Sequence, residues 1–217
     1  MTSGARKGRN KLAAAVVFGH MVKHIYQSAL RTHLLPEIKL SMGLNATQFG
    51  ALATARELTS GPATLGAGYL GDRFVNRAGL MLALSLGLMG LSFALAGLAT
   101  SYWVLFISML FVGLGPSLYH PPALGTLSRK FPDRRGFAVA LHGTGGSVGE
   151  VLGASFLIPG LIVLLTWRGV LQGALVPALV SALVVWSVIR GIHGEPEHGA
   201  FSLKTYLGLL SRLLRRR

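Results

Sequence analysis

A face of five polar residues near the start of the chain has the spacing of one side of a helix. Counted from the first, the others follow after 3, 4, 7 and 11 positions, which at about 100° per residue confines all five to an arc of about 100°. An ionisable side chain in the middle of a membrane helix is costly unless it faces a cavity or a partner. We therefore predict that this face lines a water-filled pathway, although snorkelling to the surface suffices for its outermost member. The five residues are His20, Lys23, His24, Gln27 and Arg31.

Arg56 and Glu57 are a second group of ionisable residues inside an apolar segment. Adjacent residues on a helix point about 100° apart, so a bond between these two side chains has poor geometry. We expect each to have a partner on another helix, with Glu57 pairing with Lys23 and Arg56 pairing with Glu150. The alternative is a purely structural ion pair, formed either between the two residues or with residues of other helices.

Two further apolar segments contain His120, His142 and Glu150. His120 precedes Pro121 and Pro122, which break backbone hydrogen bonding and permit a bend; it is either a substrate or proton ligand or a packing histidine. Glu150 is a lone carboxylate deep in an apolar segment, where a proton carrier and a static ion pair are both open. The residues predicted to line a substrate or proton pathway are His20, Lys23, His24, Gln27, Arg56, Glu57, His120, His142 and Glu150.

The composition is that of a membrane protein. Of the 217 residues, 51% are hydrophobic and 13% are charged, whereas soluble domains carry about 25% charged residues. The mean hydropathy is +0.55, so a soluble domain would lack the polar surface it needs. The net charge of +14 does not indicate nucleic-acid binding, because the basic residues lie in short clusters between apolar stretches. The chain has no cysteine, which excludes thiolate metal sites, and we predict neither a metal site nor a cofactor.

Six stretches are long and apolar enough to predict spanning helices, since crossing a bilayer takes about 20 residues. Sixteen Lys and Arg residues lie on the side of the two termini and three on the other. Because basic loops stay in the cytoplasm, both termini are predicted to be cytoplasmic. The predicted fold class is therefore an all-α membrane protein, a six-transmembrane-helix bundle. The predicted spans are 12–35, 46–70, 78–99, 102–127, 136–163 and 169–190.

The predicted bundle divides the chain into three parts. A basic cytoplasmic N-terminus, 1–11, precedes the six helices of 12–190, and a cytoplasmic tail, 191–217, follows them. Within the tail, apolar and basic residues over Phe201–Leu214 predict a basic amphipathic helix on the membrane surface. A helix that binds a protein partner is the alternative.

Gly145, Gly149 and Gly153 recur every four residues in the predicted fifth helix. Such a seam of small residues allows a neighbouring helix to approach closely, so we assign these glycines to helix packing. The glycine-rich run lacks the Lys-Ser/Thr ending of a phosphate-binding loop. Because no nucleophile, base and orienting group occur at a recognisable spacing, the sequence does not predict an enzyme.

The loop after the second predicted helix, Gly68-Tyr-Leu-Gly-Asp-Arg-Phe-Val-Asn-Arg-Ala-Gly79, resembles the G-x-L-a-D-r-x-g-r-r loop of the major facilitator superfamily. Val75 and Asn76 stand where glycine and a basic residue are usual. The resemblance covers 12–190 and implies the N-terminal six-helix half of that fold. It also implies a conformational latch, in which the aspartate caps a helix end and the arginines bond it across the loop. The matching residues are Gly68, Leu70, Asp72, Arg73 and Arg77.

Within this superfamily the chain is similar to the fosmidomycin-resistance type of drug efflux transporter. The similarity rests on His20 with Tyr26-Gln27, on Tyr119-His120-Pro121 and on Gly145-Gly146. Pro122 stands where that group has an acidic residue.

The resemblance implies a secondary transporter that works by alternating access and uses protons to drive efflux of a small organic compound. The fifth-helix glycines also resemble the superfamily's antiporter motif, with Ala154 where a proline is usual. The expected partners are the substrate, protons, the bilayer of a bacterial inner membrane, and a second six-helix half, supplied by a continued chain, a homodimer or a separate subunit. The alternative is a half-length membrane scaffold or regulatory subunit without transport activity of its own.

Overall fold

The computed structural model describes residues 8–191 and 202–215. Parts of the predicted N-terminus and tail, residues 1–7, 192–201 and 216–217, lie outside the described residues. Within the described part the chain is helical without a strand, and its helices join into six rods followed by a C-terminal helix. Rod 1 comprises Arg9–Ala29, the π-helical Leu30–Leu34 and Leu35–Ser41; rod 2 is Ala46–Arg73; rod 3 comprises the 3-10 turn Val75–Arg77 and Ala78–Gly97; rod 4 comprises Tyr102–Ser117 and His120–Lys130; rod 5 comprises Arg135–Val151, the π-helical Leu152–Leu157 and Ile158–Leu164; rod 6 comprises Trp167–Gly173 and Leu175–Ile189; and the C-terminal helix is Leu203–Leu214.

Polar caps mark where three of the rods begin. At the start of rod 2, the Gln48 amide donates to Asn45 Oδ1 at 2.9 Å and the Asn45 amide donates to Gln48 Oε1 at 3.1 Å. This reciprocal pair satisfies two backbone donors that a helix start leaves free. The hydroxyls of Ser101 and Thr166 each accept from an amide three residues on, at 3.4 and 3.3 Å, and so cap rods 4 and 6.

Two π-helical turns let rods 1 and 5 continue through prolines. Pro36 and Pro159 each lie in the first turn of the helix that follows a π turn. A proline lacks the amide hydrogen and clashes with the carbonyl four residues earlier, and a wider π turn before it accommodates both effects. Rod 1 therefore reaches Ser41 instead of ending at the predicted residue 35.

Four helical segments in the described part of the chain are long and apolar enough to cross a membrane. Rod 2, at 28 residues, and rod 1 are also long, but both carry ionisable residues in their interiors. The spanning of rods 1 and 2 therefore stays a prediction. The four apolar segments are Val75–Gly97, Tyr102–Lys130, Arg135–Leu164 and Trp167–Ile189.

Rod 1 packs along rod 5, rod 2 along rod 4, and rod 3 along rods 4 and 6. The glycine seam of rod 5 lies against the backbone of rod 1. A Cβ added to Gly145 would lie 2.6 Å from Val17 Cγ1, and one added to Gly153 would lie 2.6 Å from the Ile25 carbonyl oxygen. Because non-bonded carbon atoms pack at about 3.5–4.0 Å, side chains here would force the two rods apart.

Candidate functional site

Four histidines from three rods meet inside the bundle and form what we call the histidine cluster: His20 and His24 of rod 1, His120 of rod 4 and His142 of rod 5. The rings of His20 and His142 stack with centroids 3.6 Å apart. The rings of His24 and His120 meet that of His20 edge-on, with centroids 4.5 and 4.8 Å away. Rods 1 and 5 approach this closely because Gly146 has no side chain: an added Cβ would lie 2.7 Å from His20 Cε1.

The hydrogen bonding of the cluster leaves buried ring nitrogens unused. The His20 Nδ1–H donates to the His142 carbonyl oxygen at 2.7 Å, and His142 Nε2 lies 3.4 Å from His120 Nδ1. Both His20 and His142 are buried, with 4% and 3% of their surface exposed. His20 Nε2 and His142 Nδ1 have no hydrogen-bond partner among the described residues. Since an unpaired buried polar group is costly, the cluster has spare capacity for a proton, a substrate or an ion.

Lys23 is buried beside the cluster, with 3% of its surface exposed, and its amine contacts His120 Nε2. A histidine ring nitrogen accepts a hydrogen bond only when it carries no proton. A charged Lys23 and a proton on His120 Nε2 therefore exclude each other at this contact. Proton occupancy of the two side chains is coupled.

Glu150 joins the cluster to a more exposed part of rod 1. Its Oε1 lies 3.4 Å from His24 Nδ1 and 3.3 Å from the Arg31 guanidinium, and 44% of its side chain is exposed. For Arg31 we predicted only snorkelling, whereas its guanidinium lies beside this carboxylate. A carboxylate that is open to water and adjacent to a histidine can pass a proton from water to the histidine ring and back.

The predicted cross-helix pairings of Arg56 and Glu57 are wrong. The Arg56 guanidinium binds the adjacent Glu57 carboxylate, with Nε 3.0 Å from Oε1, because two long side chains can curl toward each other along the surface of rod 2. The predicted partners, Lys23 and Glu150, contact the histidine cluster instead. Within the described residues, neither Arg56 nor Glu57 bonds to that cluster, and Gln27 is half-buried on rod 1.

Two contacts that helix spacing does not predict join rod 1 to the neighbouring rods 4 and 5. Tyr119 is fully buried, and its hydroxyl donates to the Val16 carbonyl oxygen at 2.8 Å. His33 Nε2 lies 2.7 Å from the Ala154 carbonyl oxygen, and this contact joins the two π turns of rods 1 and 5. π turns are frequent at functional sites, and the only sequence signal for them here is the proline that follows each.

An apolar cavity of about 430 Å³ lies on another side of rod 1. Its walls include Val22 and Tyr26 of rod 1, Phe93 of rod 3 and Leu157 of rod 5. The Tyr26 hydroxyl is not free to donate to a ligand there, because it donates to the Ala174 carbonyl oxygen. No member of the histidine cluster lines this cavity, so the polar and apolar sites use different faces of rod 1.

The profile of the Major Facilitator Superfamily matches residues 16–217, which is nearly the whole chain. The chain belongs to the Major Facilitator Superfamily. The superfamily predicted from the loop after rod 2 and the all-α membrane class are thereby confirmed.

Two larger proteins are similar to this facilitator chain. The chain is 27% identical over 169 residues to "Uncharacterized MFS-type transporter YfnC" of Bacillus subtilis (strain 168). That alignment covers 76% of this chain and 39% of the Bacillus protein. The fold of this chain matches the crystal structure of a bacterial homolog of the human lysosomal transporter Spinster, in an inward-facing and unoccupied conformation. That match has a TM-score of 0.68 at 20% identity and covers 93% of this chain and 47% of the other. The facilitator chain thus spans less than half the length of either protein.

Membership in this superfamily makes the chain part of a transporter family and not of an enzyme family. It also makes the chain a multi-pass membrane protein whose family moves small molecules. The finer features, namely the direction of transport, the coupling to protons and the substrate class, are taken up as proposals below.

In this facilitator chain the predicted latch loop lies at the end of rod 2. The Asp72 carboxylate is 3.7 Å from the Arg129 guanidinium at the end of rod 4. The ion pair of Asp72 is thus with another rod and not with Arg73 or Arg77 of its own loop. The physical reason is that Asp72 lies in the last turn of its helix, where a carboxylate is unfavourable with the helix dipole and a nearby cation offsets that effect. The Arg77 guanidinium instead lies 5.7 Å from the ring centre of Phe74.

Further contacts join the rods at the end that carries the basic loops. Arg9, at the start of rod 1, forms an ion pair with Asp133 between rods 4 and 5, and its hydrogen bond holds the pKa of Asp133 below the usual value. On the C-terminal helix, the Tyr206 hydroxyl donates to the Leu65 carbonyl oxygen of rod 2 at 3.1 Å. Gly68 makes room for this hydroxyl, since an added Cβ would lie 3.1 Å from it. The ion pair therefore joins rod 1 to the loop between rods 4 and 5, and the tyrosine contact joins the C-terminal helix to rod 2.

Proposed function

We propose that the chain is one half of a secondary active transporter that exports a small organic compound in exchange for protons by alternating access. The observation that carries this proposal is that Lys23, Glu150 and the histidine cluster bring ionisable groups of rods 1, 4 and 5 together inside the bundle. Ionisable residues inside membrane proteins mark substrate or proton pathways. The similarity to fosmidomycin-resistance transporters supports export as the direction and a small organic compound as the substrate.

The contacts support a proton route with Glu150 at its exposed end. Protonation of Glu150 removes the negative charge that holds Arg31 and His24, and so weakens a contact between rods 1 and 5. A proton that moves further inside, to Lys23 or His120, changes the contact between these two side chains. That contact connects rods 1 and 4. Because each proton-sensitive contact joins two rods, a change in protonation biases how the rods pack, as alternating access requires.

The apolar surface of rod 5 supports the presence of a second six-helix half. Rod 5 is the least covered of the four apolar segments, with 17% of its most apolar stretch buried. It exposes 66% of Phe156, 83% of Val163 and 80% of Leu164. The bilayer covers part of this surface, and a second half supplied by a continued chain, a homodimer or a separate subunit covers the rest. The distribution of basic loops supports an orientation with both termini in the cytoplasm, and the bacterial inner membrane is the location that we propose.

A half-length membrane scaffold or regulatory subunit is the second candidate. In this candidate the buried charges only hold the rods together, as the ion pair between Glu150 on rod 5 and Arg31 on rod 1 can do. The two candidates differ in assembly, because a complete transport pathway needs a second half. Purification in a mild detergent, followed by measurement of the molar mass, distinguishes them: a homodimer or a complex supports transport, and a monomer supports the scaffold.

Lys23→Ala is expected to abolish proton-coupled transport, because it removes the amine that contacts His120. The measurement uses everted inner-membrane vesicles that contain the chain and its second half, with a fluorescent probe of the pH gradient. Compounds that collapse the gradient only in vesicles with the transporter are its substrates. We expect Lys23→Ala to lower the rate at least tenfold, whereas Lys39→Ala, a matched substitution on rod 1 outside the cluster, keeps it. Equal rates in wild type and Lys23→Ala would contradict the assignment.

Asp72→Asn is expected to slow transport with little effect on stability. About half of the Asp72 side chain is open to solvent, and a surface ion pair contributes only about 0–1 kcal/mol to the free energy of unfolding, so the unfolding temperature should hardly change. The Asp72–Arg129 pair nevertheless connects rods 2 and 4, and it must break and form again if those rods rock against each other. The vesicle assay gives the rate and thermal unfolding gives the stability. Asp72→Glu keeps the charge and should keep most of the rate; a normal rate in Asp72→Asn would argue against a latch.

A further inference from the structure

We propose that the histidine cluster binds one divalent transition-metal ion of the Zn²⁺ class, with His20, His24 and His120 as its ligands. One ring nitrogen from each of these three residues lies within 4.8 Å of the other two. Imidazole nitrogens are good ligands for Zn²⁺, Ni²⁺ and Cu²⁺. The inference concerns the same cluster as the proposed proton pathway, but it does not depend on transport.

The backbone already places the ligands for such an ion. His20 and His24 are four residues apart on rod 1, the spacing at which two histidines on one helix face bind a zinc ion together. In a tetrahedral site with Zn–N bonds of about 2.0–2.1 Å, ligand nitrogens lie about 3.3 Å apart. The three ring nitrogens now lie within 4.8 Å of one another, and rotation of the rings would bring them to the separation that a zinc ion requires.

The outer contacts of the ligands are those of a metal site. The ring nitrogen of a metal-bound histidine that does not bind the metal usually donates to a carbonyl or a carboxylate. In the cluster, His20 Nδ1 donates to the His142 carbonyl oxygen at 2.7 Å, and His24 Nδ1 lies 3.4 Å from Glu150 Oε1. These contacts leave Nε2 of both histidines for the ion, and His20 Nε2 is buried without a partner among the described residues.

The third ligand, His120, also has an outer contact at Nδ1, but the Lys23 amine occupies the position beside its Nε2. Its Nδ1 faces His142 Nε2 at 3.4 Å, so His142 is a positioning residue for this ring. Its Nε2 contacts the Lys23 amine, which therefore holds the place that the ion would take. Lys23 must withdraw when the ion binds, and its charge opposes a divalent cation nearby.

The ligand set selects among ions. The three ligands are neutral imidazoles, whereas Mg²⁺ and Ca²⁺ require oxygen ligands. The chain has no cysteine, so a thiolate site that favours Cu⁺ is excluded. Three protein nitrogens leave a fourth position open, which water or a substrate group can occupy.

The test measures Zn²⁺ binding to the full 217-residue chain in detergent, purified through a tag without histidine, by competition with a chromophoric chelator. We expect one Zn²⁺ per chain, and at least tenfold weaker binding in each of His20→Ala, His24→Ala and His120→Ala. His33→Ala is the matched control on rod 1, because this histidine bonds to the Ala154 carbonyl oxygen outside the cluster, and it should bind Zn²⁺ as the wild type does. Co²⁺ added to the wild type should give the visible absorption of a four-coordinate site with three nitrogen ligands, a readout that does not depend on how the variants fold.

A second variant keeps the proposal open to refutation even if the alanine variants misfold. Lys23→Met removes the competing amine and should tighten Zn²⁺ binding at least tenfold, a gain that misfolding cannot produce. The proposal is overturned if the wild type binds no stoichiometric Zn²⁺, if the three cluster variants bind as the His33→Ala control does, or if Lys23→Met binds no more tightly than the wild type. Since binding is measured without transport, a non-transporting scaffold would still give the expected result, and a transporter without this site would not.

Discussion

Vesicles that contain the Glu150→Gln variant are expected to show no proton-coupled transport. Glutamine keeps the size of the side chain but cannot release or take up a proton. Proton transfer between water and His24 through this side chain is therefore lost. The neutral amide also loses the ionic contact with Arg31, for which the wild-type distance is 3.3 Å. We expect the substrate-induced collapse of the pH gradient to fall to the level of vesicles without the transporter, because proton entry and rod movement both depend on this carboxylate.

The control for Glu150→Gln is Glu37→Gln, which neutralises an exposed carboxylate of rod 1, the rod that packs against rod 5. This variant should transport at the wild-type rate. A static role for Glu150 predicts a different pattern, with a lower unfolding temperature but an unchanged rate per folded molecule. Exchange of unlabelled for labelled substrate without a pH gradient gives a further distinction. A proton carrier that is locked neutral loses net coupled transport but can keep this exchange, whereas a misassembled bundle loses both.

The sequence predicted the rods well because their determinants are local. Each predicted span overlaps one rod, since about 20 apolar residues make a helix of membrane length whatever surrounds it. The end of rod 1 was missed because the π turn before Pro36 is a local exception to the rule that proline ends a helix. The glycine spacing in rod 5 pointed to a close helix contact, although it could not say that rod 1 makes that contact.

The histidines, Lys23 and Glu150 of the candidate site could be named from the sequence, whereas their contacts could not. His20 and His142 are 122 positions apart, and Lys23 and His120 are 97 apart, so only the packing of the rods brings them together. Helix spacing alone favoured partners for Arg56 and Glu57 on other rods, whereas the flexible side chains bond to each other. A metal site was not predicted for the same reason, because the third histidine ligand lies on a different rod from the first two.

Gly149→Ala is expected to destabilise the bundle, although an alanine in an exposed helix position is about 1 kcal/mol more favourable than glycine. A Cβ at this position would overlap the Met21 carbonyl oxygen and lie 3.0 Å from the Cβ of His24. The first of these neighbours is backbone and cannot rotate away, so rods 1 and 5 must separate. Overpacking by a single carbon costs about 1–3 kcal/mol in a packed core, and here it outweighs the gain in helix propensity.

Gly143→Ala is the matched control, because it lies on the same rod and an added Cβ there meets nothing within 4 Å. The two variants should therefore differ in stability, with Gly143→Ala neutral or slightly stabilising and Gly149→Ala lowering the midpoint of thermal unfolding in detergent. Equal midpoints for the two variants would show that rods 1 and 5 do not pack through this glycine. The separation of the rods also moves His24 away from Glu150, whose atoms are 3.4 Å apart in the wild type. We therefore expect Gly149→Ala to lose transport even at temperatures where it remains folded, which would connect the helix seam directly to the ionisable site.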